Sequence, residues 1–306
     1  METTQKPKEI IGHLMVLSTI VIYSFNTNFM KILMPEWIDP HGLVLIRCTV
    51  MAFGFWIISL FIPANKQQAK PKRKDILMMM LGGLLGIGGN LLLYINGLNI
   101  TGPVDAFVIR TVQPIIVIAL AVLILHADFN RYKAIGIILG LAGTLYVSIT
   151  PHTGVVKDSF TGDVLIFVAS VFNALYLILI KPYTQKFNSV IVMRWMSLAA
   201  FILVLPFLKA PLFTSEAPVH IWLELGFVLI LATMIAYFLN LKALLYISPF
   251  VESVYIYLLP ITGAIVSISL GLQKFSWHDP IALVLIIAGF ALINKKKKVK
   301  VVINKS

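Results

Sequence analysis

This chain has few charged residues, and acidic ones are the scarcer kind. Asp, Glu, Lys and Arg make up 12% of its 306 residues, whereas an ordinary soluble domain has about 25%. Hydrophobic residues make up 59%, and the mean hydropathy is +0.92. This composition excludes a large soluble domain and predicts a protein that crosses a membrane several times.

Side chains that support catalysis or metal binding are equally scarce. Cys48 is the single cysteine, so an internal disulfide framework is excluded and a thiolate metal site is not expected. The six histidines are scattered without ligand spacing, and the sequence contains no HExxH, GxSxG or P-loop motif. We therefore predict a protein that is not an enzyme, holds no metal or cofactor and hydrolyses no ATP.

Ten apolar windows are each long enough to cross a bilayer as a helix, which takes about 17–25 residues. They are 10–30, 41–62, 76–98, 103–125, 132–149, 162–180, 189–208, 220–246, 249–271 and 278–293. The net charge of +12 is concentrated at the ends of these windows, which is typical of membrane topology and not of nucleic-acid binding. If the N-terminus is cytoplasmic, most of the 25 lysines and arginines lie on the cytoplasmic side of the membrane. We predict a multi-pass protein of the cytoplasmic (inner) membrane with both termini in the cytoplasm.

The second half of the chain repeats features of the first after a shift of about 150 residues. Glycine, lysine and proline pairs recur at nearly this spacing: Gly12 with Gly162, Lys31 with Lys181, and Pro114 with Pro260. Five helices are an odd number, so the second copy would cross the membrane in the opposite sense. The sequence thus predicts an all-α polytopic membrane protein with ten transmembrane helices as two inverted-topology five-helix repeats, residues 1–150 and 151–306.

The later part of each half carries the most distinctive pattern. It reads ITGPVDAFVIRTVQPIIVIALAVLIL in the first half and ISPFVESVYIYLLPITGAIVSISLGL in the second, each followed by a glycine-punctuated helix. These paired halves resemble the EamA-type carriers of the drug/metabolite transporter superfamily, over residues 12–149 and 162–293. The resemblance implies a secondary carrier of amino acids or other small metabolites. It also implies that the first four helices of each half enclose a cavity and that the fifth lies outside.

A charged side chain inside an apolar helix needs a partner, a wet cavity or a ligand. Arg110 and Gln113 share one face of the fourth predicted helix, and the repeat assigns Glu252 to the equivalent face of the ninth. We expect this face to line the cavity, where the Arg110 guanidinium would bind a carboxylate or phosphate group. The alternative is a buried pair of Arg110 with Asp105 or Glu252 that only fixes helix packing.

Two acidic residues are candidates for proton coupling. Glu252 and Asp105 each lie near the first turn of a predicted helix and could take up and release a proton during transport. The alternative role is structural, because an acidic residue near a helix N-terminus stabilises the helix. Asp105 lies on a different helix face from Arg110, which favours the structural role for Asp105.

Five further residues are candidates for substrate binding: Asn26, Tyr176, Tyr255, Arg47 and Arg194. The two arginines occupy corresponding positions in the second and seventh predicted helices. They would face the cavity from opposite sides of the membrane, or else reach the lipid headgroups. The uncharged candidates would bind substrate, or else hold neighbouring helices together by hydrogen bonds.

The sequence as a whole predicts a secondary transporter, driven without ATP, that exports or exchanges a small polar metabolite such as an amino acid or organic anion by alternating access. Kinks at Pro114 and Pro260 would serve as hinges. The predicted partners are the substrate and the lipid bilayer, without nucleic acid. A homodimer and anionic lipids at Lys295–Lys298 are left open. The alternative function is a membrane assembly or lipid-head-group binding protein that transports nothing.

Overall fold

The computed structural model describes residues 6–61, 70–125, 131–149, 159–207, 217–272 and 278–293, which are helical and contain no β-strand. The α-helices in these ranges are α1 (Lys6–Leu33), α2 (Pro40–Leu60), α3 (Arg73–Gly83), α4 (Asn90–Ile100), α5 (Pro103–Arg110), α6 (Gln113–Leu125), α7 (Arg131–Ile149), α8 (Ser159–Lys186), α9 (Ser189–Val204), α10 (Val219–Phe227), α11 (Ala236–Ala243), α12 (Pro249–Val254), α13 (Leu259–Ser269) and α14 (His278–Ile293). Two π-helical segments join α3 to α4 (Leu84–Gly89) and α10 to α11 (Val228–Ile235). Short 3-10 segments follow α9 (Leu205–Phe207) and α12 (Tyr255–Leu258).

Eight stretches of the described residues are long and apolar enough to cross a membrane. They are Glu9–Leu33, Pro40–Leu60, Arg73–Ile100, Pro103–Leu120, Phe160–Lys186, Ser189–Phe207, Val219–Ala243 and Pro249–Ser269. The predicted all-helical, multi-pass membrane architecture is therefore confirmed. The count of ten transmembrane helices, and the inversion of one half relative to the other, stay predictions.

The two remaining predicted windows form α7 and α14, which pack on each other through glycines. A Cβ atom added to Gly289 would lie 2.5 Å from the carbonyl oxygen of Gly136 and 3.0 Å from the backbone nitrogen of Gly140. Only residues without a side chain allow two helix backbones to approach this closely. Those residues of the two helices whose side chains the structure describes do not line the polar cavity described below.

Prolines start, and then interrupt, the fourth span of each half. Pro103 opens α5 and Pro249 opens α12 at the first helical turn, where the missing N–H has no partner to lose. The sequence predicted one helix over each of 103–125 and 249–271, kinked at Pro114 and Pro260, whereas the structure breaks each span outright. The first breaks between Arg110 and Gln113, and the second passes into the 3-10 segment after Val254. Pro114 and Pro260 are the second residues of α6 and α13, directly after these breaks, because a proline lacks the N–H that would continue the preceding helix.

The third span of each half contains a π-helical segment. Leu84–Gly89 and Val228–Ile235 lie at corresponding places in the two halves. A Cβ atom added to Gly86 would collide with the ring of Tyr176, so this segment lets α8 pack closely. In the second segment the Thr233 hydroxyl donates to the carbonyl oxygen of Val228 at 2.6 Å. Such π segments occur frequently at functional sites.

Two lysines bind the carbonyl oxygens at the ends of the third spans. The ammonium of Lys31 donates to Leu98 (3.0 Å), Asn99 (2.9 Å) and Thr101 (2.9 Å) at the end of α4. The ammonium of Lys181 donates to Leu244 and to Ile247 (2.8 Å) beyond the end of α11. These carbonyl groups have no partner within their own helix, and a cation there is favourable. The two sets of contacts correspond under the shift of about 150 residues that the sequence predicts between the halves.

Glycines bring the two halves together at both ends of the bundle. A Cβ atom added to Gly162 in α8 would lie 2.8 Å from the carbonyl oxygen of Gly97 in α4. A Cβ atom added to Gly12 in α1 would lie 2.9 Å from Cβ of Tyr246, just beyond α11. Each half therefore places its first helix against the third span of the other half.

Candidate functional site

A polar cavity with a volume of about 50 Å³, which is room for a few water molecules, lies between the two halves. The first half contributes residues of α1, α2, α4, α5 and α6. The second half contributes residues of α8, α11, α12 and α13, and of the 3-10 segment that follows α12. Six of the eight residues predicted to bind substrate line it: Asn26, Arg47, Arg110, Gln113, Tyr176 and Glu252. The predicted common face of Arg110, Gln113 and Glu252 is thus brought together in the folded chain.

Arg110 is the last residue of α5, immediately before the break in that span. Its guanidinium carbon lies 4.7 Å from the centre of the Tyr94 ring, in a cation–π contact. Tyr94 is held in turn by a hydrogen bond of 2.9 Å between its hydroxyl group and that of Thr27. Glu252 lies within electrostatic range, but no described carboxylate approaches Arg110 within 4.0 Å.

Arg47 is buried almost completely, with 1% of its surface exposed. Its Nε donates to the hydroxyl of Thr233 at 2.8 Å, and its Nη1 donates to the sulfur of Met30 at 2.8 Å. The π segment of the second half therefore supplies the acceptor for an arginine of the first half. As for Arg110, no described carboxylate lies within 4.0 Å of this guanidinium group.

Glu252 lies in the first turns of α12 and is 9% exposed. Its Oε2 atom has no hydrogen-bond partner among the described residues, and the same is true of the Oδ1 atom of Asn26. A buried oxygen without a donor is costly, so these two acceptors are available to a ligand or to water. The cavity thus presents two guanidinium groups, one carboxyl group and one unpaired amide oxygen.

Hydrogen bonds between helices position the other polar side chains of the cavity. Asn173 donates to Gln113 at 3.1 Å, and Asn90 donates to the carbonyl oxygen of Ala169 at 2.7 Å. The Thr19 hydroxyl donates to Asn240 at 2.8 Å, and Asn240 donates to the hydroxyl of Tyr23 at 3.1 Å. Among these side chains, only Gln113 belonged to the predicted substrate-binding set. The spacing of Thr19, Tyr23 and Thr27, four residues apart along α1, marks one helix face and could have identified this lining.

Three predicted residues lie away from the cavity. Tyr255 shares a hydrogen bond of 2.7 Å with Nδ1 of His13, and Arg194 lies against Trp56 and Trp195. Asp105 is buried near Lys31 and is not part of the cavity lining. The predicted lipid contact at Lys295–Lys298 lies outside the described residues. The described residues contain no group of three His, Cys, Asp or Glu side chains that could hold a metal ion.

Known proteins similar to this chain are named as transporters. A family model described as the EamA-like transporter family matches residues 10–149 and 160–295. Uncharacterized transporter YyaM of Bacillus subtilis (strain 168) is 23% identical, over 92% of this chain and 93% of its own length. Uncharacterized transporter YetK of the same organism is 21% identical, over 74% of this chain and 70% of its own length.

The helical arrangement also matches a solved structure. A crystal structure with 16% sequence identity superposes with a TM-score of 0.62, over 94% of this chain and 96% of its own. At this identity the likeness concerns the fold alone.

Proposed function

Because this chain belongs to the EamA-like transporter family and is a membrane transporter, we propose that it carries a small polar metabolite with an anionic group through the central cavity. The substrate class is an amino acid or organic anion, and the chain acts as a secondary exporter or exchanger. One observation carries this proposal. The cavity holds two guanidinium groups, Arg47 and Arg110, with no described carboxylate within 4.0 Å of either.

Charge balance supports an anionic substrate. A guanidinium group in a low-dielectric interior needs an opposite charge or strong acceptors. Among the described residues that line the cavity, Glu252 is the single acidic one against the two arginines, which leaves one positive charge in excess. A carboxylate or phosphate group of the substrate would supply the missing charge and accept the parallel hydrogen bonds that an arginine donates.

Alternating access is the mechanism that the geometry supports best. The broken spans at Pro114 and Pro260 flank the cavity, and an irregular turn bends at lower cost than a continuous helix. The contacts of Lys31 and Lys181 hold each half together, whereas the Gly12 and Gly162 contacts join the halves at opposite ends. The corresponding contacts at both ends support the inverted repeat, in which opening one face mirrors closing the other.

The test is substrate counterflow in proteoliposomes, with labelled amino acids and organic acids screened one by one. Wild-type protein is expected to exchange at least one of them, and Arg110→Ala is expected to lower that exchange about tenfold or more, because a charge-assisted contact is lost. Arg131→Ala is the matched control, since Arg131 is exposed and also lies over a tyrosine, Tyr132, but outside the cavity. It is expected to leave exchange unchanged.

Two results would contradict the proposal. If wild-type protein exchanges no substrate of either class, a membrane assembly or lipid-head-group binding protein without transport becomes the better description. If Arg110→Ala exchanges every substrate as fast as Arg131→Ala, the cavity described above is not the binding site.

A further inference from the structure

Arg194 forms an aromatic and cationic cluster on the outer surface of the bundle, between α2 and α9. Its guanidinium carbon lies 4.8 Å from the centre of the Trp56 ring and 5.2 Å from that of Trp195. The two rings stand edge to face, with their centres 5.8 Å apart. The arginine Nη1 atom also reaches the hydroxyl of Ser59 at 3.5 Å. We call Arg194, Trp56, Trp195 and Ser59 the arginine–tryptophan cluster.

The charge of Arg194 is not neutralised by any carboxylate among the described residues within 4.0 Å. Its Nε atom is covered and has no hydrogen-bond partner in that part of the chain. Lys186, at the same end of the bundle, differs because its ammonium contacts the carboxylate of Asp75 at 2.8 Å. A half-buried guanidinium beside lipid, without such a partner, calls for an anion from outside the protein.

The position of the cluster indicates the membrane–water boundary. Ser59 is the second-last residue of α2, and Arg194 lies in the second turn of α9, so both are close to a helix end. The same end of the bundle carries exposed basic residues at the start of α3: Lys70, Lys72, Arg73 and Lys74. Helix α3 packs along α9, where Gly83 touches the backbone of Met196. Tryptophan is enriched at this depth, and basic residues there attract anionic headgroups.

Lipid is also the environment that the neighbouring side chains fit. On α2, Phe53 lies one turn before Trp56 and Ile57 directly follows it; their side chains are 60% and 55% exposed. Apolar side chains of this size can contact acyl chains below a headgroup. The corresponding arginine of the first half, Arg47, is instead 1% exposed and lines the cavity. The two halves therefore use the same sequence position for different surroundings.

We propose that the arginine–tryptophan cluster binds the phosphate group of an anionic phospholipid, in the leaflet next to the basic start of α3. The guanidinium fork donates to two phosphate oxygens, while the indole rings hold its plane in place by cation–π contacts. The hydroxyl of Ser59 donates to the carbonyl oxygen of Trp56 at 2.7 Å and accepts from Arg194, which helps to hold the guanidinium in place. Phe53 and Ile57 pack against the acyl chains.

The test uses quenching of tryptophan fluorescence in phosphatidylcholine nanodiscs. Brominated phosphatidylglycerol and brominated phosphatidylcholine are compared at equal mole fractions. Wild-type protein is expected to be quenched more strongly by the brominated phosphatidylglycerol, and Trp56→Phe is expected to reduce this excess. Arg194→Gln is expected to lower the apparent affinity for phosphatidylglycerol about fivefold, since the guanidinium that donates directly to the phosphate is lost. Arg73→Gln removes an exposed charge at the same end and is expected to preserve the excess quenching.

Each remaining result contradicts the proposal. Equal quenching of wild-type protein by both brominated lipids would overturn it, whether or not any variant folds. So would equal effects of Arg194→Gln and Arg73→Gln, because the attraction would then be general and not located at the cluster. If excess inorganic phosphate abolishes the preference, the site takes a free phosphate and not a lipid.

Discussion

Glu252 is the one acidic side chain among the described residues that line the cavity. Its Oε2 atom has no hydrogen-bond partner there, and Arg110 lies within electrostatic range without forming an ion pair. A carboxyl group in this position is accessible to a proton from the cavity and senses the charge of a bound substrate. Among single residues, it is therefore the best candidate for coupling transport to a proton gradient.

We expect Glu252→Gln to abolish accumulation of substrate under an imposed pH gradient but to preserve exchange at equal pH, because an amide keeps the shape and cannot carry a proton. The measurement compares both assays in the same proteoliposomes. Glu224→Gln is the matched control, since Glu224 also has a covered, unpaired oxygen but lies outside the cavity. Continued accumulation by Glu252→Gln would show that another group, or another ion, provides the coupling.

At the scale of elements, the glycine contacts between first helices and third spans close the two ends of the bundle. Gly162 meets α4 at one end, and Gly12 meets the residues after α11 at the other. Contacts of this kind depend on close approach and not on directed hydrogen bonds, so one additional methyl group separates the helices.

We expect Gly162→Ala and Gly12→Ala to shift the protein toward opposite conformations. Hydrogen–deuterium exchange should rise in residues 97–103 and fall in residues 243–249 for Gly162→Ala, with the reverse for Gly12→Ala. Gly226→Ala is the control, because an added Cβ atom there meets nothing within 4 Å. Exchange that rises only beside each substitution, without the opposite change at the far end, would argue against alternating access.

At the scale of the whole molecule, the predicted orientation, with both termini in the cytoplasm, is inferred from the distribution of basic residues. The prediction is checked by labelling intact cells with a membrane-impermeant maleimide. The background variant is Cys48→Ala, which removes the buried native cysteine. Glu36→Cys, between α1 and α2, should react in intact cells, whereas Lys72→Cys, before α3, should react only after lysis. Both positions are exposed. The opposite labelling pattern would show that the protein has the reverse orientation in the membrane.

The sequence was sufficient to predict the helices and the shared face of Arg110, Gln113 and Glu252, because long apolar windows and helical spacing are local properties. The sequence could not show which of the two arginines, Arg47 or Arg194, points into the cavity. Both arginines occupy the same position in the repeat, and the direction of each side chain depends on the helices that pack around it. Arg47 finds Thr233 on a π segment, and Arg194 finds two tryptophans. The π segments and the breaks also lack a signal in hydropathy.

Because each third span contains a π segment, the direction in which its later residues point depends on how that segment is wound. A π turn accommodates more residues than an α turn. If the segment Leu84–Gly89 became plain α-helix with all its residues kept, everything after it would rotate by about 100°, the angle of one residue. Asn90 and Tyr94 would then leave the cavity, and Arg110 would lose the ring beneath its guanidinium. Two chains with nearly identical hydropathy and composition could therefore differ in whether they possess this binding site at all.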